Sequence, residues 1–258
     1  MTHRFISIIL IAVAALCSCH SATAATPFAN ETLHYVISYK WGLIHKDAGD
    51  ATLTLRNQGN KYSVMLAAKT KPWADKFYSV RDTLKATMLR NGLKPTYYAK
   101  ITHEKGKYKK DEIFYSYSDS NTSGRAVRHR LNDSGEMSAS TKTLTATGPV
   151  YDMLTVFYYL RKINYNELSR NKVFRATVFS GSKKEKITIK SLGKEKIKLK
   201  DKTVHEAFHV KFNFTQEGGK KSSDDMDTWI STDDRHIPLY LVGQLPVGEV
   251  RAYYLPHK

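Results

Sequence analysis

After residue 19 this 258-residue chain has no cysteine. Beyond Cys17 and Cys19 that excludes disulfides and thiol nucleophiles, so a core must hold on packing alone. Acids are scarce too, with 24 Asp and Glu against 41 Lys and Arg. The resulting net charge of +17 requires a positive surface. Past the first two dozen residues no stretch approaches the ~20 apolar residues of a membrane helix. No G-x-S-x-G, Walker loop or dinucleotide fingerprint occurs.

The N-terminus reads Met1-Thr2-His3-Arg4, then an apolar run from Phe5 to Leu16, then small residues ending Ala22-Thr23-Ala24. A basic head, an apolar run too short for a bilayer and an Ala-x-Ala site predict a signal peptide over 1–24. The expected mature chain is one β-rich domain over 25–258 in the periplasm. Leu16-Cys17-Ser18-Cys19 also approximates a bacterial lipobox, and the alternative is a lipoprotein anchored to a membrane through Cys19. Outside the cytoplasm a basic surface meets phospholipid headgroups, lipopolysaccharide or acidic glycans. The expected partners are therefore an envelope lipid, an anionic glycan or a membrane surface, and not nucleic acid. Solvated lysines without a partner satisfy the same composition.

Period-two alternation of aromatic and β-branched residues dominates the chain. It runs through Leu33-Tyr35-Ile37-Tyr39, Ala51-Leu53-Leu55, Tyr62-Val64-Leu66, Ile113–Tyr117, Phe174–Phe179 and Val210–Phe214. Turn residues punctuate it at 57–60, 91–92, 105–107, 121–124, 217–219 and 233–234. The spacing predicts a mainly β fold: a large, curved antiparallel meander, an open or half barrel. One stretch departs from it. Val150, Met153, Leu154, Phe157, Tyr158 and Arg161 recur at helical spacing, Pro149 suits a first helical position and Asp152 a first turn. This predicts one central helix over Pro149–Ser169, packed on the sheet and dividing the meander in two.

His205-Glu206-Ala207-Phe208-His209 fits H-E-x-x-H. That motif holds zinc only on a helix, where the histidines stack one turn apart. Val210, Phe212 and Phe214 continue it at period two, which reads as strand. Residues four apart on a strand lie ~13 Å apart, too far to share an ion at ~2.1 Å, so no metal site and no cofactor are expected. Lys194, Lys196, Lys198, Lys200 and Lys202 alternate, and on a strand would share one face as a polyanion-contacting stripe or as a charged guard on an edge strand. Asp233-Asp234-Arg235 reads as a hairpin turn.

Several segments, taken in order, resemble a bacterial envelope family known only as domain of unknown function 3108. They are Glu31–Ile44 with Ala48–Ala51, Phe77–Asp82, Asp152–Arg161, Trp229–Pro238 and Gly248–Ala252. The resemblance implies an exported β-rich protein and supplies no catalytic residues. Curved sheets that stop short of closure expose an apolar trough, and the sequence-based expectation is a non-enzymatic protein holding an amphiphilic or anionic envelope component there. Trp41, Tyr78, Arg81, Tyr158, Arg161 and Trp229 are the ligand-contact candidates, being aromatic or arginine residues of the family-like segments. The competing structural reading makes the aromatics core, with Arg81–Asp82 or Asp152–Arg161 as ion pairs. Two other functions remain open: an assembly factor that takes a partner strand at a sheet edge, and an acidic-glycan hydrolase using Asp82, Asp152 or Asp233.

Overall fold

The computed structural model describes residues 28–104, 107–132, 134–165, 173–217 and 219–256. The predicted signal peptide and lipobox lie outside these residues. Two antiparallel meanders make one 15-stranded sheet. The first comprises β1 (Glu31–Trp41), β2 (Ile44–Gln58), β3 (Lys61–Thr70), β4 (Val80–Leu89), β5 (Pro95–Glu104), β6 (Lys107–Tyr117), β7 (Asn121–Leu131) and β8 (Met137–Thr147). The second comprises β10 (Val173–Ser180), β11 (Lys183–Lys198), β12 (Val204–Gln216), β13 (Met226–Ser231), β14 (Pro238–Gln244) and β15 (Glu249–Leu255). The first strand pairs with the last, Ile37 opposite Ala252, and fuses the two meanders. The short β9 (Val150–Tyr151) adds in parallel to β10.

Alternation fixes which face is buried. Leu33, Leu53 and Leu66 are register partners on the inward face, as are Leu55, Val64 and Ala86. Phe212, Ile189 and Met226 occupy the corresponding positions in the second meander. The sheet rolls until its edges overlap instead of joining by a β ladder. Phe179 lies on the face of β10 opposite Val178, yet is fully buried. It stacks on Tyr115, ring centroids 5.9 Å apart, on the inward face of β6. Side-chain bonds from Arg128 to Ser182 Oγ (3.3 Å) and from Lys184 to the Thr145 carbonyl (3.4 Å) also join the edges.

Gly124 makes this overlap possible. Its sequence context predicts a turn at 121–124, but it lies within β7. A Cβ there would sit 2.7 Å from the Phe179 ring and 3.0 Å from Ile113 Cγ2. Gly124→Ala is therefore expected to destabilise the fold by about 1–3 kcal/mol through overpacking, read by urea denaturation. A neutral outcome would contradict the overlap of β10 on β7.

The central helix is shorter than its sequence pattern. Two helices follow β3 and β9: α1 (Pro72–Asp75) and α2 (Thr155–Leu160). Pro149 does not open α2. Gly148 takes a left-handed φ of 79°, Val150 and Tyr151 join the sheet, and the chain turns at Asp152. Asp152 Oδ1 accepts bonds from the amides of Leu154 (2.8 Å) and Thr155 (2.9 Å), which starts the helix there. Residues 166–169 of the predicted helix lie outside the described ones. Val150, Met153, Leu154, Val156, Phe157, Tyr158 and Leu160 are all buried, so the segment is enclosed rather than laid with one face on the sheet. No helix among the described residues is long and apolar enough to cross a membrane.

Candidate functional site: an apolar cavity closed at one end

One end of the rolled sheet is closed by α2. Arg161 follows the helix and is almost fully buried; its guanidinium forms a bidentate ion pair with Glu31 at the start of β1 (Nη2–Oε2 3.0 Å). It also donates from Nε to the Arg235 carbonyl (3.1 Å), while His236 Nδ1 bonds the Arg161 carbonyl (2.9 Å). Phe28 and Tyr158 flank the guanidinium at 5.0 and 5.1 Å. Glu31 answers a cation that burial would otherwise make costly. The pairs are thus Arg161–Glu31 and Arg81–Asp75, not the sequence-expected Asp152–Arg161 and Arg81–Asp82.

Toward the other end the inward faces of β14, β15, β1, β2 and β3 stand apart from α2 and enclose a cavity of about 670 Å³. Ile37, Ala252 and Leu241 are successive register partners on one wall. Tyr35, Ala51 and Ala68 form the neighbouring row. Met153, Leu154 and Phe157 supply the helix side. The small inward residues Ala51, Ala68 and Ala252 are what leave room between walls that elsewhere meet through leucines. Tyr35 donates its hydroxyl to the Pro238 carbonyl (3.1 Å) and Tyr39 to that of Val247 (2.9 Å), so both turn ring carbon to the space. Burial pushes the Tyr35 phenol far above its ordinary pKa, which keeps it neutral. Asp50 and Lys69 border the cavity on β2 and β3 with side chains on the outward face, and the Thr70 hydroxyl beside α1 is taken up by the Val80 amide (3.0 Å), Arg81 and Asp75.

The size has an energetic meaning. At ~24 cal/mol per Å³, a closed void of this volume would cost about 16 kcal/mol, more than the 5–15 kcal/mol that stabilises an ordinary domain. The space opens to the outside at its mouth, so solvent or a ligand fills it. Its volume is that of ligand pockets, ~300–1,000 Å³.

Of the sequence-derived candidates, Trp41 and Tyr78 line this cavity. Arg81 is engaged at the surface by Asp75, whose carboxyl it holds down at about 2. Tyr158 and Arg161 belong to the closed end. Trp229 sits on the outward face of β13, in a cross-strand stack of His209, Trp229, Tyr240 and Tyr253 with centroids 4.5, 4.8 and 4.6 Å apart. Its indole also donates to Glu195. His205, Glu206 and His209 lie on strand β12, where His205 meets Thr203 Oγ1 (2.8 Å) and His209 meets Asp227 (2.7 Å). Asp82 is buried on the inward face of β4, Asp152 starts α2, and Asp233 accepts the Ser231 hydroxyl in the β13–β14 turn.

The five lysines are divided. Lys194, Lys196 and Lys198 share one face of β11, in the part that runs past its pairing with β10. Lys200 and Lys202 fall in the turn beyond β11. Lys200 pairs with Asp47 on β2 and lies 5.3 Å over the Tyr253 ring. The β11–β12 tip therefore folds across the outer wall of the cavity, next to Val36 and Ser38, which are buried although they point outward.

Fold and cavity together define a mainly β, barrel-like protein with an internal apolar pocket. The model of the family described as "Protein of unknown function (DUF3108)" matches residues 34–254, and the chain belongs to that family. Its fold is similar to a crystal structure described as a beta-barrel-like protein of domain of unknown function DUF1849 from Brucella abortus. The TM-score is 0.61 at 10% identity, over 90% of this chain and 98% of that one, a likeness of fold alone. A search of curated proteins finds no match.

Proposed function

We propose that this chain is a non-enzymatic, exported cell-envelope protein that binds the apolar part of an amphiphile, a lipid or lipid-linked glycan, in the cavity. The observation that carries the reading is the cavity itself: walls of aliphatic and aromatic carbon, tyrosine hydroxyls already bonded to carbonyls, and one open end. Such a space rewards a hydrocarbon chain that displaces water, and leaves the polar head of the ligand at the open mouth. The N-terminal pattern of basic head, apolar run and Ala-x-Ala supports export.

A fluorescent long-chain fatty acid tests the reading. One saturable site per chain is expected, with binding lost in Ala252→Trp, whose indole would enter the cavity between Ile37 and Leu241. The variant should keep the circular dichroism of the parent. Absence of saturable binding in the parent, or undiminished binding in the variant, would overturn the reading.

A further inference from the structure

Five exposed apolar side chains gather around the cavity mouth. Trp41, Leu43 and Ile44 form the tip of the β1–β2 hairpin, Phe77 follows α1, and Val247 occupies the β14–β15 turn. All five are exposed, Leu43 completely and Phe77 at 77%. All but Leu43 also line the cavity, so one apolar surface runs from the interior to the outside. The three segments are locked together. A Cβ on Gly248 would lie 2.3 Å from the Lys40 carbonyl and 3.2 Å from Trp41 Cβ, and Tyr39 bonds the Val247 carbonyl. On the other side the Trp73 indole donates to the Asp47 carbonyl (2.8 Å), the Lys71 backbone amide to that of Ala48 (2.8 Å), and the Trp73 and Phe77 rings meet at 6.3 Å.

Cations interleave with these tips: Lys40 and Lys46 beside the hairpin tip, Lys71 and Lys76 beside α1. The nearby acids Asp47 and Asp75 are engaged by Lys200 and Arg81, and Glu249 by both Arg251 and Lys40 (3.5 Å), so Lys40 is already partly neutralised. Lys71 and Lys76 make no ion pair among the described residues. Lys46 sits 4.4 Å over the Trp73 ring.

We propose that this rim docks on an anionic phospholipid bilayer, with Trp41, Leu43, Ile44, Phe77 and Val247 entering the interface and the lysines meeting phosphate. Aromatic and aliphatic tips flanked by lysine fit the headgroup boundary, where the rings bury carbon and the ammonium groups reach anions. The geometry favours a bilayer over a protein. The tips surround an opening that a protein face would seal, whereas fluid lipid leaves it continuous with the membrane's hydrocarbon. Docking goes beyond occupancy of the cavity and is measured independently of it.

The test is co-sedimentation of the full mature chain with vesicles of phosphatidylglycerol and phosphatidylcholine. The parent is expected to bind them, and to bind pure phosphatidylcholine much more weakly. Leu43→Asp and Phe77→Asp are each expected to weaken binding by about ten-fold or more, because each replaces an inserting side chain with a charge. Met137→Asp, at an exposed apolar residue on β8, should bind like the parent. The Leu43 side chain lies outside the cavity lining, so Leu43→Asp should leave fatty-acid binding intact and separates docking from cavity binding. No binding of the parent to anionic vesicles would overturn the proposal. So would equal binding of parent and Leu43→Asp, which would mean adhesion by lysines alone.

Discussion

Glu31→Ala is expected to destabilise the protein by about 3–5 kcal/mol, the cost of leaving one member of a buried ion pair alone. The Arg161 side chain is 1% exposed and that of Glu31 11%, so solvent cannot replace the lost carboxylate. The guanidinium would keep the Arg235 carbonyl and the faces of Phe28, Tyr158 and Phe157, none of which carries a charge. Removing both charges at once, as Glu31→Leu with Arg161→Met, should cost far less than Glu31→Ala, because neither desolvated charge remains. Urea denaturation of the three proteins measures this. If Glu31→Ala is as stable as the parent, the pair does not close the end of the cavity.

Asp152→Asn should raise stability at alkaline pH and do progressively less toward acid. Burial pushes the Asp152 carboxyl up to about 7, against the pull of its bonds to the Thr155 and Leu154 amides, while an unfolded aspartate titrates near ~3.9. Between those values the native state holds a proton that the unfolded state has released. Stability therefore falls as pH rises through this window, by about 1.4 kcal/mol per unit. The protonated form is the better-accommodated one, since Oδ2 has no partner among the described residues. Asparagine retains the oxygen that both amides use and never ionises. The advantage of the variant over the parent should grow by about 3 kcal/mol from pH 5 to pH 8. A difference independent of pH would show that Asp152 is ionised throughout in the native state.

Both effects concern residues whose roles were only partly legible in the sequence. Alternation alone identified the strands around Leu33–Tyr39, Tyr62–Leu66 and Val210–Phe214, because a half-buried strand writes its buried face at every second position. The wrong elements failed for definite reasons. Residues 153–160 carry buried side chains around almost the whole circumference, Thr155 included, because the segment is enclosed, and only an i, i+3, i+4 subset reads as an amphipathic helix. Gly124 reads as a turn residue, although its lack of a side chain serves a ring from a strand fifty-five residues away. No local pattern reveals such an approach.

The site was legible in its kind and poorly in its members. An apolar trough follows from a curved sheet, and Trp41 and Tyr78 belong to it. Aromatic and arginine side chains such as Arg81, Arg161 and Trp229 bond within the protein and stand outside the cavity. The cavity instead depends on what is small, Ala51, Ala68 and Ala252, at inward positions where neighbours carry leucine or isoleucine. Phe77 and Val247, apolar residues in turns, line its mouth, and Leu43 stands exposed beside it. Apolar residues at turns were the available sequence signal, since connections on the surface are ordinarily polar.

Native mass spectrometry of the protein purified from its own envelope, with solvent extraction of whatever it carries, shows whether the cavity holds the apolar part of an amphiphile. The expected result is a chain beginning at Ala25 or at an acylated Cys19, with a bound lipid or lipid-linked glycan that is lost in Ala252→Trp. An empty parent that also takes up no long-chain fatty acid would mean that the cavity is not a lipid site.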